Sequence, residues 1–138
     1  MTPYIIDSNI LIFAVGCKDK LTDEVNNILH SPGNHILVPA KCAEETMYLQ
    51  LRGRISIAQW KSPKDVLHTI DELGFTIKHT ANEHLRTLAH LPFFPEHKDP
   101  TDRVIIAQAI TEKIPMISSD RKFPLYKRCG LELVFNKW

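Results

Sequence analysis

Residues 97–120 read HKDPTDRVIIAQAITEKIPMISSD, and this stretch decides the fold. Asp99 before Pro100 is an N-cap followed by proline at the first helical position, a standard way to begin a helix. The apolar run VIIAQAI that follows predicts a heavily buried helix over residues 99–113. PMISSD then reads as a short strand closed by Asp120. A buried helix feeding a buried strand is one half of a βαβ unit. Two carboxylates bracket it: Asp102 in the first helical turn and Asp120 at the strand's end. Asp102 could complement the helix dipole, or it could face a cleft at the sheet edge.

The same grammar runs outward. PYIID, residues 3–7, suits a buried strand ended by Asp7, and SNILIFAV suits a helix with Ser8 as N-cap. DKLTDEVNNILHS predicts one continuous helix, and HILVP a second strand stopped by Pro39. The pattern from Ala40 to Arg52 is helical, with Gly53 as its stop. SPKDVLHTIDELG adds a helix capped by Ser62, with Pro63 in the first turn and Gly74 at the end. FTIKH, ANEHLRTLAHL and LELVF read as strand, helix and fifth strand candidate. Short strands alternating with long helices predict an α/β fold with a mainly parallel sheet of four to five strands. Ligands of such sheets collect beyond the strands' carboxyl ends. Asp7 and Asp120 should therefore project from the same edge.

Composition sets the frame. A chain of 138 residues, 43% hydrophobic and 24% charged, fits one globular domain over 1–138. A net charge of +1 excludes nucleic-acid binding by bulk charge, so any such contact needs a local patch. Cys17, Cys42 and Cys129 form no CxxC pair and read as reduced thiols. The N-terminal residues have no basic segment before an apolar one, and no run is long enough to span a membrane. A cytoplasmic location with no membrane partner is the expectation.

Each acid has a local explanation, but the set is harder to dismiss. Asp7 and Asp120 close buried strands, and Asp102 opens a buried helix. Like charges gathered together repel unless a cation sits among them. Oxygen ligands in an open cleft suit Mg²⁺ or Mn²⁺. A further acid is expected from the 40–52 helix. Glu44 falls with Ala40, Met47, Tyr48 and Leu51, whereas Glu45 lies near Cys42, Tyr48 and Leu49 at the edge of the apolar face. Periodicity alone does not choose between them.

At this point the residues resemble a known family. IIDSNILIF resembles the opening of PIN-domain nucleases, HKDPTDRVIIAQA their third acidic motif, and PMISSDRKF their fourth. VPAKCAEETMYLQLRGRI resembles the family's glutamate helix. The order is that of VapC-type toxins of toxin–antitoxin pairs. The resemblance implies a PIN-like three-layer α/β/α fold and a Mg²⁺- or Mn²⁺-dependent endoribonuclease. It also implies a homodimer neutralised by a cognate antitoxin. Carried over by position, Asp7, Glu45, Asp102 and Asp120 are the catalytic, metal-holding acids. Asn9, Ser118 and Asp99 support them. Thr101 and Ser8 depart from the commonest family residues without touching a metal ligand.

RNA contact would rest on cations close to these acids, with Arg121, Lys122 and Arg103 the candidates. His97 reads as a surface loop residue. The segment from Ile55 to Leu73 reads as a helical hairpin whose Ile55, Ile57 and Trp60 offer a partner surface, with an ordinary core role as the alternative. Two other enzyme and signalling classes fit less well. Haloacid-dehalogenase-like phosphatases need a second Asp where this chain has Asn9. Receiver domains that bind Mg²⁺ carry an acidic pair after the first strand, which DSN lacks. A PIN fold without activity, acting as an RNA- or protein-binding module, is the remaining alternative.

Overall fold

Thr2–Ile6 forms β1 at the centre of a five-stranded sheet in the computed structural model, which describes residues 1–138. Its partners are β2 (Asn34–Pro39) on one side and β4 (Met116–Ser118) on the other, both parallel to it. β3 (Thr76–Lys78) and β5 (Leu133–Phe135) complete the order β3-β2-β1-β4-β5. All four pairings are parallel. Ile5 and Ile6 are fully buried, as befits a central parallel strand covered on both faces. The layers are helix, sheet and helix.

The helices are α1 (Ser8–Gly16), α2 (Asp23–His30), α3 (Ala40–Leu51), α4 (Pro63–Glu72), α5 (Asn82–His90) and α6 (Pro100–Glu112). Short 3-10 helices cover Lys18–Lys20 and Phe123–Cys129. α6 begins as its sequence predicts: Asp99 caps it, accepting from the Asp102 N–H at 3.0 Å, and Pro100 follows. Its Ile105, Ile106 and Ala107 are completely buried. No helix is long and apolar enough to cross a membrane.

Three local expectations are corrected. The cap of α1 is Asp7, not Ser8: its carboxylate accepts from the Ile10 N–H at 3.0 Å. The expected helix over 19–31 divides, because Thr22 takes an extended backbone and caps a new helix through the Val25 N–H. The 55–73 segment is no hairpin, and α4 is its only helix. The stretch before α4 turns its apolar residues inward, with Ile57 9% and Trp60 4% exposed. The Trp60 indole N–H donates to Thr69 Oγ1 at 2.9 Å. Ile57 packs so closely on α1 that a Cβ at Gly16 would lie 2.8 Å from its Cγ1. Ile57 and Trp60 therefore belong to the core and offer no surface to a partner.

The parallel order places the site. From β1 the chain crosses to β2 and β3 on one side and returns to β4 and β5 on the other. Between β1 and β4 successive connections diverge, which opens a crevice at the strands' carboxyl ends.

Candidate metal centre

The crevice is lined by Asp7, Ser8, Asn9, Glu45, Leu49, Asp99, Asp102 and Asp120, and holds about 250 Å³. Asp7 reaches it from the end of β1, and Asp120 from two residues beyond β4. Asp102 comes from the first turn of α6, and Glu45 from α3, the helix that follows β2. Residues as far apart as 7 and 120 thus share one wall because β1 and β4 are sheet neighbours.

The choice between the two glutamates is made by the rotation of α3. Glu45 lines the crevice, and its Oε1 accepts from Ser8 Oγ at 2.5 Å. Glu44 lies in a different groove, with Ala43, Met47, Leu67 and Ile77. Read locally, Ser8 was a helix cap, whereas its hydroxyl serves a residue 37 positions away.

Asp7 is the most constrained of the acids. It is 6% exposed. Ser118 Oγ donates to its Oδ2 at 2.5 Å, and the Ile10 N–H holds Oδ1. Burial pushes its pKa up to about 7 against those two hydrogen bonds, and the charges of Asp102 and Asp120 push the same way. Asp102 is raised to about 6, again chiefly by burial. The His97 hydrogen bond opposes that shift, and the Asp99 and Asp120 charges add to it. Ser118 also accepts from the Asp120 N–H at 3.0 Å, so one hydroxyl links two of the acids. The Asp120 Oδ1 accepts from the Lys122 N–H at 2.8 Å, fixing the turn that carries it.

Of the supporting residues, Asn9 is exposed on the crevice wall and Ser118 is fully buried beneath it. Asp99 borders the crevice while capping α6. The cations divide. Arg121 and Lys122 are exposed, but Arg121 lines an adjoining cleft with Ser119, Phe135, Asn136, Lys137 and Trp138. Arg103 is turned away, donating to the carbonyls of Pro92 at 2.8 Å and Leu91 at 3.1 Å. Its guanidinium thereby secures the loop before α6.

His97 corrects the sequence reading most sharply. It is 3% exposed, not a surface residue, and its Nε2 stands 3.1 Å from Asp102 Oδ2. Its Nδ1 meets the Tyr126 hydroxyl at 2.7 Å. A loop histidine has no periodicity to report burial. The only signal was its place five residues before Asp102.

The donor set tests whether a divalent cation suits the crevice. Five carboxylates and no thiol line it, and the carboxyls of Asp7 and Asp102 resist ionisation as they stand. Such oxygen ligands, needing positive charge, fit Mg²⁺ or Mn²⁺. Beside the crevice, His97 groups with Asp102 and Asp120, and a separate group, Glu83, His84 and Glu112, also lies close together. There Lys78 supplies the positive charge, 2.5 Å from Glu112, so that group is a satisfied ion pair.

Comparison with known proteins agrees with this architecture. The model of the family described as PIN domain matches residues 4–128. No curated protein sequence matches the chain. Among solved structures, VapBC2 from Rickettsia felis, bound to a DNA fragment from its promoter, is similar with a TM-score of 0.71 and 17% identity. That match covers 99% of this chain and 100% of the other. VapBC-1 from nontypeable Haemophilus influenzae gives 0.66 and 12%, covering 97% and 98%. VapBC-5 of Mycobacterium tuberculosis, a member of the VapBC family of toxin–antitoxin systems, gives 0.61 and 16%, covering 98% and 99%. At these identities the likeness is one of fold.

Proposed function

This chain belongs to the PIN-domain family, and from that premise we propose that it is a metal-dependent endoribonuclease acting as the toxin of a toxin–antitoxin pair. The observation that carries the reading is the convergence of Asp7, Glu45, Asp102 and Asp120 on one crevice at the carboxyl ends of β1 and β4. These four side chains would hold Mg²⁺ or Mn²⁺. When bound, such an ion supplies charge neutralisation at phosphate and makes water acidic enough to ionise near neutral pH.

The chain's own groups have distinct roles. Ser118 and the Ile10 N–H fix both oxygens of Asp7, so its carboxylate keeps one orientation whether or not it is charged. Ser8 holds one oxygen of Glu45, Oε1. Asn9, exposed on the crevice lining, would donate its amide to a phosphate oxygen. Arg121 and Lys122 follow Asp120 and would meet the RNA backbone as it leaves the crevice. Their contribution should be salt-dependent, as phosphate contacts are.

A partner is part of the proposal. The similar structures are of VapBC complexes, which supports a cognate antitoxin for this chain. α3, α4 and the residue after α4 leave Tyr48, Leu51, Leu67 and Leu73 exposed, and such apolar surface supports an antitoxin contact and a homodimer.

The test is cleavage of assorted RNAs by wild type and Asp7→Asn in Mg²⁺, Mn²⁺ or EDTA. Cutting by wild type with metal alone is expected, leaving 5′-phosphate and 3′-hydroxyl ends. Equal cutting in EDTA, or by Asp7→Asn, would overturn the reading.

A further inference from the structure

His97 has a hydrogen-bond arrangement that its surroundings fix almost completely. Arg103 directs Nη1 toward the Tyr126 oxygen at 3.5 Å, a long contact that makes that oxygen an acceptor. The hydroxyl's single hydrogen is then free to point at His97 Nδ1, 2.7 Å away. With Nδ1 accepting, the neutral ring carries its proton on Nε2 and donates it to Asp102 Oδ2 at 3.1 Å. The ring itself is held edge-on by Phe123 and Tyr126, at centroid distances of 5.7 and 5.3 Å. Its backbone is pinned by a 2.9 Å bond from His97 N–H to the Phe94 carbonyl.

A ring nitrogen of His97 and one carboxylate oxygen each of Asp102 and Asp120 lie within 4.8 Å of one another. Asp102 lines the crevice, whereas His97 is buried and forms no part of the crevice wall. No protein hydrogen bond falls on the other carboxylate oxygen, Oδ1. One oxygen of Asp102 is therefore tethered to the protein, and the other is left for a ligand. A histidine that donates to a metal-holding carboxylate orients it, and partners of this kind typically change metal affinity about 10–100-fold.

We propose that His97, held by Tyr126 and through it by Arg103, is a positioning residue that presents the Asp102 carboxylate to a divalent cation. The proposal rests on the metal-dependent reading of the crevice. It also accounts for Arg103, which bonds the loop carbonyls of Leu91 and Pro92 and orients the tyrosine hydroxyl at the same time. His97, Asp102 and Arg103 share one stretch of sequence, whereas Tyr126 lies 23 residues beyond Arg103 and meets them only through packing.

The experiment measures the Kd for Mn²⁺ of the full chain, from the paramagnetic resonance signal of the free ion, with thermal unfolding in parallel. His97→Leu should bind about 10–100-fold more weakly than wild type. His97→Gln, whose amide N–H can take the place of the Nε2–H, should recover most of that loss. Tyr126→Phe should fall between them. If His97→Leu does not fold, the glutamine and phenylalanine variants decide the matter. Mn²⁺ binding by a folded His97→Leu or Tyr126→Phe that equals wild type would overturn the proposal. So would a His97→Gln as weak as His97→Leu, since packing alone would then be at stake. Asp102→Asn separates the two layers. If it binds Mn²⁺ as tightly as wild type, the metal reading itself falls and takes this proposal with it. If it is weak while His97→Leu is not, only the positioning role is lost.

Discussion

Asp7→Asn should make the protein more stable while removing its activity. The wild-type carboxyl is buried and has a pKa of about 7, against an ordinary value of 3.8. Below pH 3.8 it is protonated in both folded and unfolded chains and has no effect on stability. As pH rises toward 7 the unfolded chain releases this proton and the folded chain does not, so stability falls. Above that value the loss is complete. The linkage ceiling is about 4 kcal/mol near pH ~8 and about 2 kcal/mol near pH ~5. Asparagine has the same shape, can still accept from the Ile10 N–H, and cannot ionise. Its advantage over wild type should approach that ceiling without metal, a rise in Tm of roughly 10 °C at about pH 8 for a chain this size. The advantage should shrink by at least half at about pH 5. Thermal unfolding in EDTA at both pH values is the assay. Adding Mn²⁺ should then raise the Tm of wild type and leave the variant nearly unmoved, because the cation replaces the missing positive charge. A metal-free variant no more stable than wild type at the higher pH, or a gap that ignores pH, would refute the claim that Asp7 is a buried charge awaiting a cation.

The remaining expectations test separate links. Glu45→Gln should abolish the Mn²⁺-induced Tm rise, whereas Glu44→Gln, in its own groove, should keep it. Apparent Mn²⁺ affinity should weaken as pH falls from about 8 to about 6, since Asp7 and Asp102 must lose protons to bind; calorimetry at the two pH values checks this. Ile57→Ala should cost about 2–4 kcal/mol in urea unfolding, and a cost near zero would return that segment to the surface. Asn136 is buried, accepting from the Thr22 N–H and donating to the Lys20 carbonyl and Ser119 hydroxyl. Asn136→Ala should therefore lose about 2–3 kcal/mol, read from the same unfolding curves.

Much of the site was readable because acids at the ends of apolar runs break an otherwise continuous pattern. Asp7 after YII and Asp120 after MISS are such breaks, and the α/β alternation places both at one sheet edge. Asp99 and Pro100 announced a helix start by chemistry that needs no distant partner. The failures share a cause. Ser8 can cap a helix or bond a distant acid, and only the fold brings Glu45 within reach of its hydroxyl. Thr22 interrupts a helical run because its extended backbone is tied to Asn136, 114 residues away. The apolar residues near Ile57 lie outside any periodic element, so nothing local says which way they face.

What the linear chain determined, then, were the element types, their order and the acids at their ends, because capping, periodicity and strand-end chemistry act within a few residues. What only tertiary structure decided was the rotation of α3 that sends Glu45 and not Glu44 into the crevice, and the burial of His97 against Asp102 and Tyr126. Adjacent helical residues point about 100° apart, and a loop carries no period at all. Both outcomes are set by how elements pack against one another, a quantity that no short stretch of sequence contains.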